Sequence, residues 1–434
     1  MIDVLAFALI ALGLGTSMPV AAQQPLPAEA VEVPRPRAGA SLSPEAAAFV
    51  TGMNAFAFDL FAVQRSDPGN FFVSPPSIST AMALAYRGAK AETATEIAKV
   101  MHYPSPPEAS AVAAGEAYRS MSTKGPGREL ATANSLWVQK GLPLNPDYVR
   151  DLGAHFGAAL HEVDFKNAPD AARLLINAWV EERTNNRIRQ LLAKPDVRDD
   201  TKTILVNTIY LKALWARPFE ASETRSEPFR TADDRQIPMA LMNQRADFRP
   251  VSRDGVQAIS LPYQSGELDM VVLLPQSPAG LSAFEDGLTA AKLDEWLKRL
   301  DSAPAADTIL TLPKFRMEWR ADIAPLLKRL GMEIALSDSA DFSGSKFVNP
   351  RSADDDELAI KIGSVIHQTF LEVDEGGAEA AAATAVVEIL VTGGRMGRPP
   401  PVVFRADRPF LFLLRDRRTG ALLFIGRIAE PPAA

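Results

Sequence analysis

The sequence predicts one large α+β domain whose sheets are mainly antiparallel. The chain has 434 residues, of which 47% are apolar and 23% charged, as is typical of a globular protein with an extensive core. Helical and strand-like patterns come in blocks, without the strict alternation of strand and helix that parallel sheets require. The length would allow two domains, but no linker interrupts the chain between residue 42 and its last few residues. A single domain at 43–434 is therefore expected.

Four segments carry the apolar spacing of amphipathic helices. In the second of them, Ser74 is placed as an N-cap and Pro75 occupies the first helical position, where its missing N–H costs nothing. The four predicted helical segments are residues 43–64, 74–89, 171–192 and 280–300.

Five segments have the composition of β-strands, with β-branched, aromatic and leucine residues in short runs. The five predicted strand segments are residues 203–215, 268–275, 307–319, 410–416 and 421–428.

The N-terminal region predicts export to the periplasm or the extracellular space. Residues 4–16, "VLAFALIALGLGT", form an apolar run that is too short to span a bilayer comfortably. Val20 and Ala22 then satisfy the small-residue rule for signal peptidase, which predicts a signal peptide at 1–22. The alternative is a buried N-terminal helix, because Asp3 rather than a basic residue precedes the run.

Residues 23–42 are rich in proline and alanine without apolar periodicity, which predicts a flexible tether. The chain contains no cysteine, so neither a lipid anchor at the cleavage site nor a disulfide is expected. Once the signal peptide is removed, no integral membrane span is expected either.

Composition and motifs give no support for an enzyme. The net charge is −7 and the basic residues are scattered, so a nucleic acid is not an expected partner and no heparin-type site is visible. Whether a polyanion acts on the protein stays open. The sequence has no cysteine nucleophile, no H-E-x-x-H, no G-x-S-x-G and no P-loop. His155 and His161 have poor spacing for joint metal ligation on a helix. No metal and no cofactor are therefore expected.

Several separated motifs point to a known family. They are "NFFVSPPSISTAMALAYRGAKAET", "INAWVEERTNNRI", "ILVNTIYLKALWARPF", "LPKFRMEW", "HQTFLEVDEGGAEAAAATA" and "FRADRPFLFLLRD". With these motifs the chain resembles the serpin family, the suicide-substrate inhibitors of serine proteases. Their order and spacing carry the resemblance, which extends over roughly residues 43–431. It implies a serpin fold with three mainly antiparallel sheets, eight to nine helices and an exposed reactive-centre loop at about 376–402. It also implies a monomer that binds its target serine protease covalently.

The segment "DEGGAEAAAATA" at 374–385 is, by this resemblance, the hinge of the reactive loop, which inserts into the central sheet after a protease cuts it. A glycine pair at its start permits the bend that insertion needs. The alternative, an Ala-rich surface helix, explains the alanines but not the glycine pair. The hinge residues are Glu375, Gly376, Gly377, Ala378, Glu379, Ala380, Ala381, Ala382, Ala383 and Thr384.

Side chains alternate between the two faces of a strand, so the hinge can be tested for charges that insertion would bury. If Glu379 faces solvent, the inward positions hold only small or apolar residues. Glu388 departs from this pattern, because it falls on the inward face, where a carboxylate is costly unless it reaches water. The inward residues that favour insertion are Ala378, Ala380, Ala382, Thr384 and Val386.

By the same resemblance, a polar cluster of Ser74, Ser77, Asn207 and His367 closes the gate of the central sheet. The alternative is that Ser74 only caps a helix and that His367 is a satisfied core histidine.

The resemblance also assigns the top of the sheet, where insertion begins. Trp215 corresponds to the tryptophan beneath this region, and Lys314 and Glu375 correspond to a salt bridge that holds it. Such a bridge contributes little if it is exposed and more if it is partly buried.

The sequence therefore predicts irreversible inhibition of a serine protease. Two alternatives stay open: inhibition of papain-like cysteine proteases by the same trap, and a non-inhibitory carrier or chaperone. The second would be expected to have bulky or charged residues at the inward hinge positions, which this chain lacks.

Two counts disagree on the bond that the protease cuts. The usual family spacing from Glu375 places it at Val391–Thr392, which suits an elastase-like pocket. Counting back from "VVF" places it at Arg395–Met396, which suits a trypsin-like pocket. The first count is preferred, because the trap depends on the length of strand that inserts. Cleavage at Leu390 is a further alternative.

Overall fold

The computed structural model describes residues 41–67, 69–122, 127–156, 159–345, 362, 365–378 and 399–432. Over these residues it contains nine α-helices and three sheets, so the predicted α+β class with mainly antiparallel sheets is confirmed. The predicted signal peptide at 1–22 and all but the last two residues of the tether lie outside the described residues.

The helices mostly begin where a proline or a cap predicts, but two predicted segments are longer than the helices they contain. The segment at 171–192 ends as a helix at Arg183, because Asn185 and Asn186 adopt positive φ values of 51° and 59°. The segment at 280–300 is two helices, and Thr289 caps the second by accepting from the N–H of Lys292. The helices are α1 Pro44–Gln64, α2 Pro75–Gly88, α3 Ala91–Met101, α4 Pro107–Met121, α5 Pro146–Phe156, α6 Pro169–Arg183, α7 Gly280–Gly287, α8 Ala290–Ser302 and α9 Ala324–Arg329.

The predicted strand at 307–319 is two strands that belong to different sheets, and Lys314 lies between them. Alternation alone could not locate this break, since both halves have strand composition. The strands are β1 Phe71–Val73, β2 Arg128–Gln139, β3 Ala159–Val163, β4 Thr203–Leu214, β5 Arg225–Arg230, β6 Gln236–Phe248, β7 Val251–Arg253, β8 Val256–Pro262, β9 Leu268–Pro275, β10 Ala306–Pro313, β11 Phe315–Asp322, β12 Ile366–Val373, β13 Gly377–Ala378, β14 Val402–Arg405, β15 Phe410–Asp416 and β16 Leu422–Ile428.

The three sheets differ in burial and position. The central sheet has the order β11-β12-β13-β4-β2-β3, the inner sheet β1-β16-β15-β9-β8-β7, and the four-stranded sheet β14-β10-β6-β5. Within the described residues, all strand pairs are antiparallel except β2–β3, β4–β12 and β10–β14. Every residue of β9, β15 and β16 is buried, so the inner sheet forms much of the core.

The main core joins the inner sheet, the helices α1 to α5 and one face of the central sheet. A smaller apolar cluster lies on the opposite face of the central sheet, where Ile176 and Val180 of α6 pack against the strands. Among the described helices, α1 is long and apolar enough to cross a membrane by length and composition alone. A buried core helix has the same properties, and one face of α1, which includes Phe49, Met53 and Phe56, is buried.

Candidate functional site

The seam between β4 and β12 in the central sheet is closed at one end and open at the other. At the closed end the two strands pair directly and in parallel, from His367 opposite Asn207 to Phe370 opposite Tyr210. At the open end the short strand β13 lies between them and is antiparallel to both. The first residues of the predicted hinge therefore already occupy the top of the sheet.

A tight turn at Asp374 directs the chain back into the seam. Its Oδ1 accepts hydrogen bonds from the N–H of Gly376 at 2.9 Å and of Gly377 at 3.0 Å. Gly377 has a φ of +147°, and a Cβ at this position would lie 2.1 Å from the carbonyl oxygen of Ala213. The turn and the close approach thus require glycine at Gly377. Sequence analysis did not single out Asp374, although an aspartate before paired glycines is a known turn signal.

Ala378 is the first residue of the predicted inward set, and the structure places it fully inside the sheet. It pairs with Val373 of β12 and with Ala213 of β4, and all three residues have 0% exposure. The tight packing around a methyl group leaves no room for a larger side chain. The remaining hinge residues, Glu379 to Thr384, lie outside the described residues, as do Val386 and Glu388.

Trp215 and Phe219, just after β4, hold the turn through their backbone. The N–H of Trp215 donates to the carbonyl of Gly376 at 2.9 Å, and the N–H of Phe219 donates to that of Glu375 at 2.8 Å. The indole Nε1 of Trp215 also donates to the carbonyl of Asp374 at 2.9 Å. The structure thus places Trp215 at the predicted top of the sheet. The role of Phe219 was not predicted, because it acts through its main chain.

Tyr263 supports the indole from the inner sheet. Its ring stacks on that of Trp215 with centroids 4.5 Å apart and an interplanar angle of 6°. Both side chains are buried, so this contact fixes the orientation of the indole. No local sequence signal links the two residues.

Lys314 and Glu375 form the predicted salt bridge, with Nζ 2.8 Å from Oε2. The side chain of Glu375 is only 17% exposed and that of Lys314 45% exposed, so the bridge is partly buried. Thr224 donates from Oγ1 to the other carboxylate oxygen of Glu375 at 2.8 Å, a partner that sequence analysis missed. Burial raises the pKa of Glu375, but the hydrogen bonds from Lys314 and Thr224 outweigh it, so the pKa lies below its usual value.

The predicted gate residues meet at the closed end of the seam. His367 is 2% exposed; its Nε2 accepts from the backbone N–H of Ser74 at 3.2 Å, and its Nδ1 lies 3.5 Å from Oγ of Ser77. Burial lowers the pKa of His367 to about 3, so the imidazole is neutral. Asn207 is its backbone partner across the seam.

Ser74 takes the N-cap position of α2, as predicted, but its side chain does not cap the helix. Its Oγ instead donates to the carbonyl of Leu423 in β16 at 2.8 Å. The side chain thus connects α2 to the inner sheet, while its backbone N–H contacts the imidazole of His367. The residues assigned to the gate are adjacent in space, and their role in opening the sheet stays a prediction.

An aromatic and cationic cluster covers the closed end of the seam on the side of α6. The rings of Phe370 and Tyr210 face each other across the seam with centroids 6.1 Å apart. The guanidinium carbons of Arg316 and Arg187 lie 5.0 Å and 5.8 Å from the centroid of Phe370. Sequence analysis identified none of these contacts, because they join four distant segments.

The histidines that were considered as metal ligands have other surroundings. The ring of His161 stacks on that of Trp137 with centroids 4.1 Å apart.

The predicted scissile bond Val391–Thr392 lies outside the described residues. The alternatives at Leu390, Arg395 and Met396 lie outside them too.

The arrangement defines a class of protein: one whose central sheet has begun to accept an additional strand from its own chain. The family model described as "Serpin (serine protease inhibitor)" matches residues 51–431. An uncharacterized serpin-like protein of Thermococcus kodakarensis is 36% identical over 385 residues, which cover 88% of this chain and 85% of that protein. The leukocyte elastase inhibitor of Sus scrofa is 34% identical over 388 residues, which cover 87% of this chain and 97% of that protein.

Among solved structures, a loop-inserted, cleaved ovalbumin mutant has a TM-score of 0.77 and 28% identity; the match covers 88% of this chain and all of that one. The family model and the identity to the relatives together establish the family. The chain belongs to the serpin family, and relatives in this family are named as protease inhibitors.

Proposed function

We propose that this protein is an irreversible suicide-substrate inhibitor of serine proteases. The target protease attacks the reactive loop as a substrate and forms an acyl-enzyme through its own serine. The freed hinge then inserts into the central sheet and carries the attached protease along it before the acyl bond is hydrolysed. The inhibitor supplies no catalytic group, only the free energy released when the loop becomes a strand.

The observation that carries this proposal is the position of β13. It lies between β4 and β12, is antiparallel to both, and has Ala378 fully buried. If the same register continues along the chain, Thr384 reaches the position between Asn207 and His367. These two residues are now each other's partners. One inserted strand can therefore replace the direct pairing of β4 with β12 without changing the register of either strand.

The extended register also accounts for the inward carboxylate of Glu388. This residue would lie opposite Thr203, the first residue of β4, where the carboxylate can reach water at the end of the sheet. The bond Val391–Thr392 would then lie just beyond the last strand pairs. Over about 15 inserted residues at ~3.3 Å each, the protease would move ~50 Å.

Formation of a covalent complex is the direct test. The protein should be incubated with a panel of elastase-like, trypsin-like and papain-like proteases and examined for SDS-resistant adducts. Adducts with serine proteases support the proposal. Adducts with the cysteine proteases alone would identify that class as the target instead. Cleavage without any adduct would favour a non-inhibitory carrier or chaperone.

Mass spectrometry of the denatured complex identifies the scissile bond. The C-terminal peptide released from the complex should begin at Thr392, as the count from Glu375 predicts. A peptide that begins at Met396 would contradict this choice and indicate a trypsin-like target.

We further propose that the protein is exported as a monomer, with residues 1–22 removed as a signal peptide and residues 23–42 acting as a tether. N-terminal sequencing of the mature protein tests the cleavage site, and light scattering tests the monomer. A mature chain that retains residues 4–16 would contradict the export proposal.

A further inference from the structure

A cavity of about 370 Å³ lies next to the top of the central sheet, where residues that follow β4 meet the end of β6 and the end of β8. Its apolar lining includes the buried side chains of Trp215, Phe219, Phe248 and Leu261. A volume of this size is near the lower end of the range for small-molecule sites. The cavity therefore suits a small ligand rather than a peptide or a lipid chain.

Three arginines, Arg217, Arg249 and Arg417, line the same cavity. Arg217 donates from Nη1 to the backbone carbonyl of Asp247 at 3.2 Å, and Arg249 donates from Nη1 to that of Asp301 at 2.9 Å. Neither forms a salt bridge within the described part of the chain. Since a guanidinium has five N–H donors, most of the donors on these two side chains have no partner among the described residues.

The charge of Arg417, the third arginine, is only weakly neutralised by the carboxylate of Asp301. Nη2 of Arg417 is 3.5 Å from Oδ1 of Asp301, whereas Arg415 binds the same carboxylate at 2.5 Å and 3.0 Å. Among the described lining residues Asp247 is the one carboxylate, so their side chains carry three positive charges and one negative charge. This imbalance contrasts with the chain as a whole, whose net charge is −7.

We infer that this cavity binds a small polyanion that carries two or more carboxylate or phosphate groups. Arginines bind both groups through charge-assisted hydrogen bonds, often two from one guanidinium. The aromatic lining excludes water from one side of the ligand, which strengthens these interactions. The shared chemistry is an array of oxyanions, and the two sources, carboxylate and phosphate, can be distinguished by experiment.

Two residues of the lining connect this cavity to the hinge. Trp215 and Phe219 line it with their side chains, and their backbone N–H groups hold the carbonyls of Gly376 and Glu375. A ligand that binds this arrangement stabilises the native protein by mass action. It also favours the state in which β4 and β12 still pair directly, and thus slows further insertion. This second consequence rests on the proposed inhibitory function, whereas binding itself does not.

Calorimetric titration of the full-length protein with tricarballylate and with pyrophosphate tests the site and separates the two sources. At least one probe should bind, and more weakly at high salt. The variant Arg217→Gln/Arg249→Gln/Arg417→Gln should lose at least about tenfold in affinity, because charge-assisted hydrogen bonds are removed. Arg253→Gln is the matched control, since Arg253 is also exposed but lies outside this cavity.

If neither probe binds at millimolar concentration, or if the triple variant binds as tightly as the wild type, the site does not exist as inferred. An equal loss of affinity in the Arg253→Gln control would reveal a nonspecific charge effect and would also contradict the inferred site. The link to the hinge is measured separately, as the rate of covalent complex formation with and without the bound probe. A protein that forms no complex with any protease but still binds the probe refutes the proposed function and leaves the site intact.

Discussion

The proposed mechanism predicts that replacing Ala378 by arginine converts the protein from an inhibitor into a plain substrate. Ala378 has 0% exposure and lies between Ala213 and Val373, which are equally buried. Arginine cannot fit there, so β13 should leave the seam in the native state. After cleavage, the hinge could insert only by burying a guanidinium without a carboxylate partner.

The size of the effect follows from the cost of taking a charge out of water, which in real proteins is several kcal/mol. Even ~3 kcal/mol added to the barrier for insertion corresponds to a rate lower by about 100-fold. Hydrolysis of the acyl-enzyme is not slowed, so nearly all variant molecules should be cleaved and released. The assay is the stoichiometry of inhibition, measured by titration of protease activity and by SDS gels.

Glu379→Arg is the matched control, because it places the same side chain one residue later, on the opposite face of the strand. In the extended register its neighbours are Lys212 and Glu372, both partly exposed. This variant should therefore keep most of its inhibitory activity. If Ala378→Arg traps protease with wild-type stoichiometry, or if both variants fail equally, the assignment of the inward face is wrong.

Two further predictions concern stability. A cut within the loop should raise the melting temperature by tens of degrees, because the loop becomes a strand of the central sheet; an unchanged calorimetric transition would favour a non-inhibitory protein. The second uses the pKa of His367, which burial lowers to about 3 in the folded protein, against ~6.5 in an unfolded chain. Between these values the unfolded chain binds the proton more readily, so the free energy of unfolding should fall as the pH is lowered from about 6.5 towards 3. At pH 5 this loss amounts to ~2 kcal/mol relative to pH 7. Urea unfolding should show a smaller loss in His367→Gln than in the wild type, because His155 and His161, whose pKa values burial also lowers, still contribute in the variant. An equal pH dependence in both proteins would refute the assignment to His367.

Local patterns predicted the class of the fold and part of its helices and strands, and they failed where tertiary contacts decide the outcome. The start of α2 followed from Ser74 and Pro75, yet the side chain of Ser74 is taken by the carbonyl of Leu423 in another sheet. The segment at 307–319 has uniform strand composition, but its halves pair with different sheets on either side of Lys314.

The candidate site shows the same limit. The glycine pair and Ala378 were found because their requirement is local: a sharp bend and a small side chain. Thr224, Phe219 and Tyr263 were not found, because each acts through a partner far away in the sequence. Hydrogen bonds from the main chain, such as that of Phe219, leave no signal in residue type.

The closed end of the seam shows which contacts must yield for the loop to insert. Strands that pair directly are ~4.8 Å apart, and a strand between them doubles that spacing. The ring of Tyr210 must then separate from that of Phe370, because the two lie on opposite sides of the seam. Arg316 belongs to β11, which pairs with β12, and can keep its contact with Phe370 as the strands move together. Arg187 follows α6 instead, so its contact with Phe370 breaks unless this segment moves too. Since β13 already separates the strands at the other end, the proposed mechanism predicts that the barrier to insertion lies at this aromatic contact and at His367, not at the hinge.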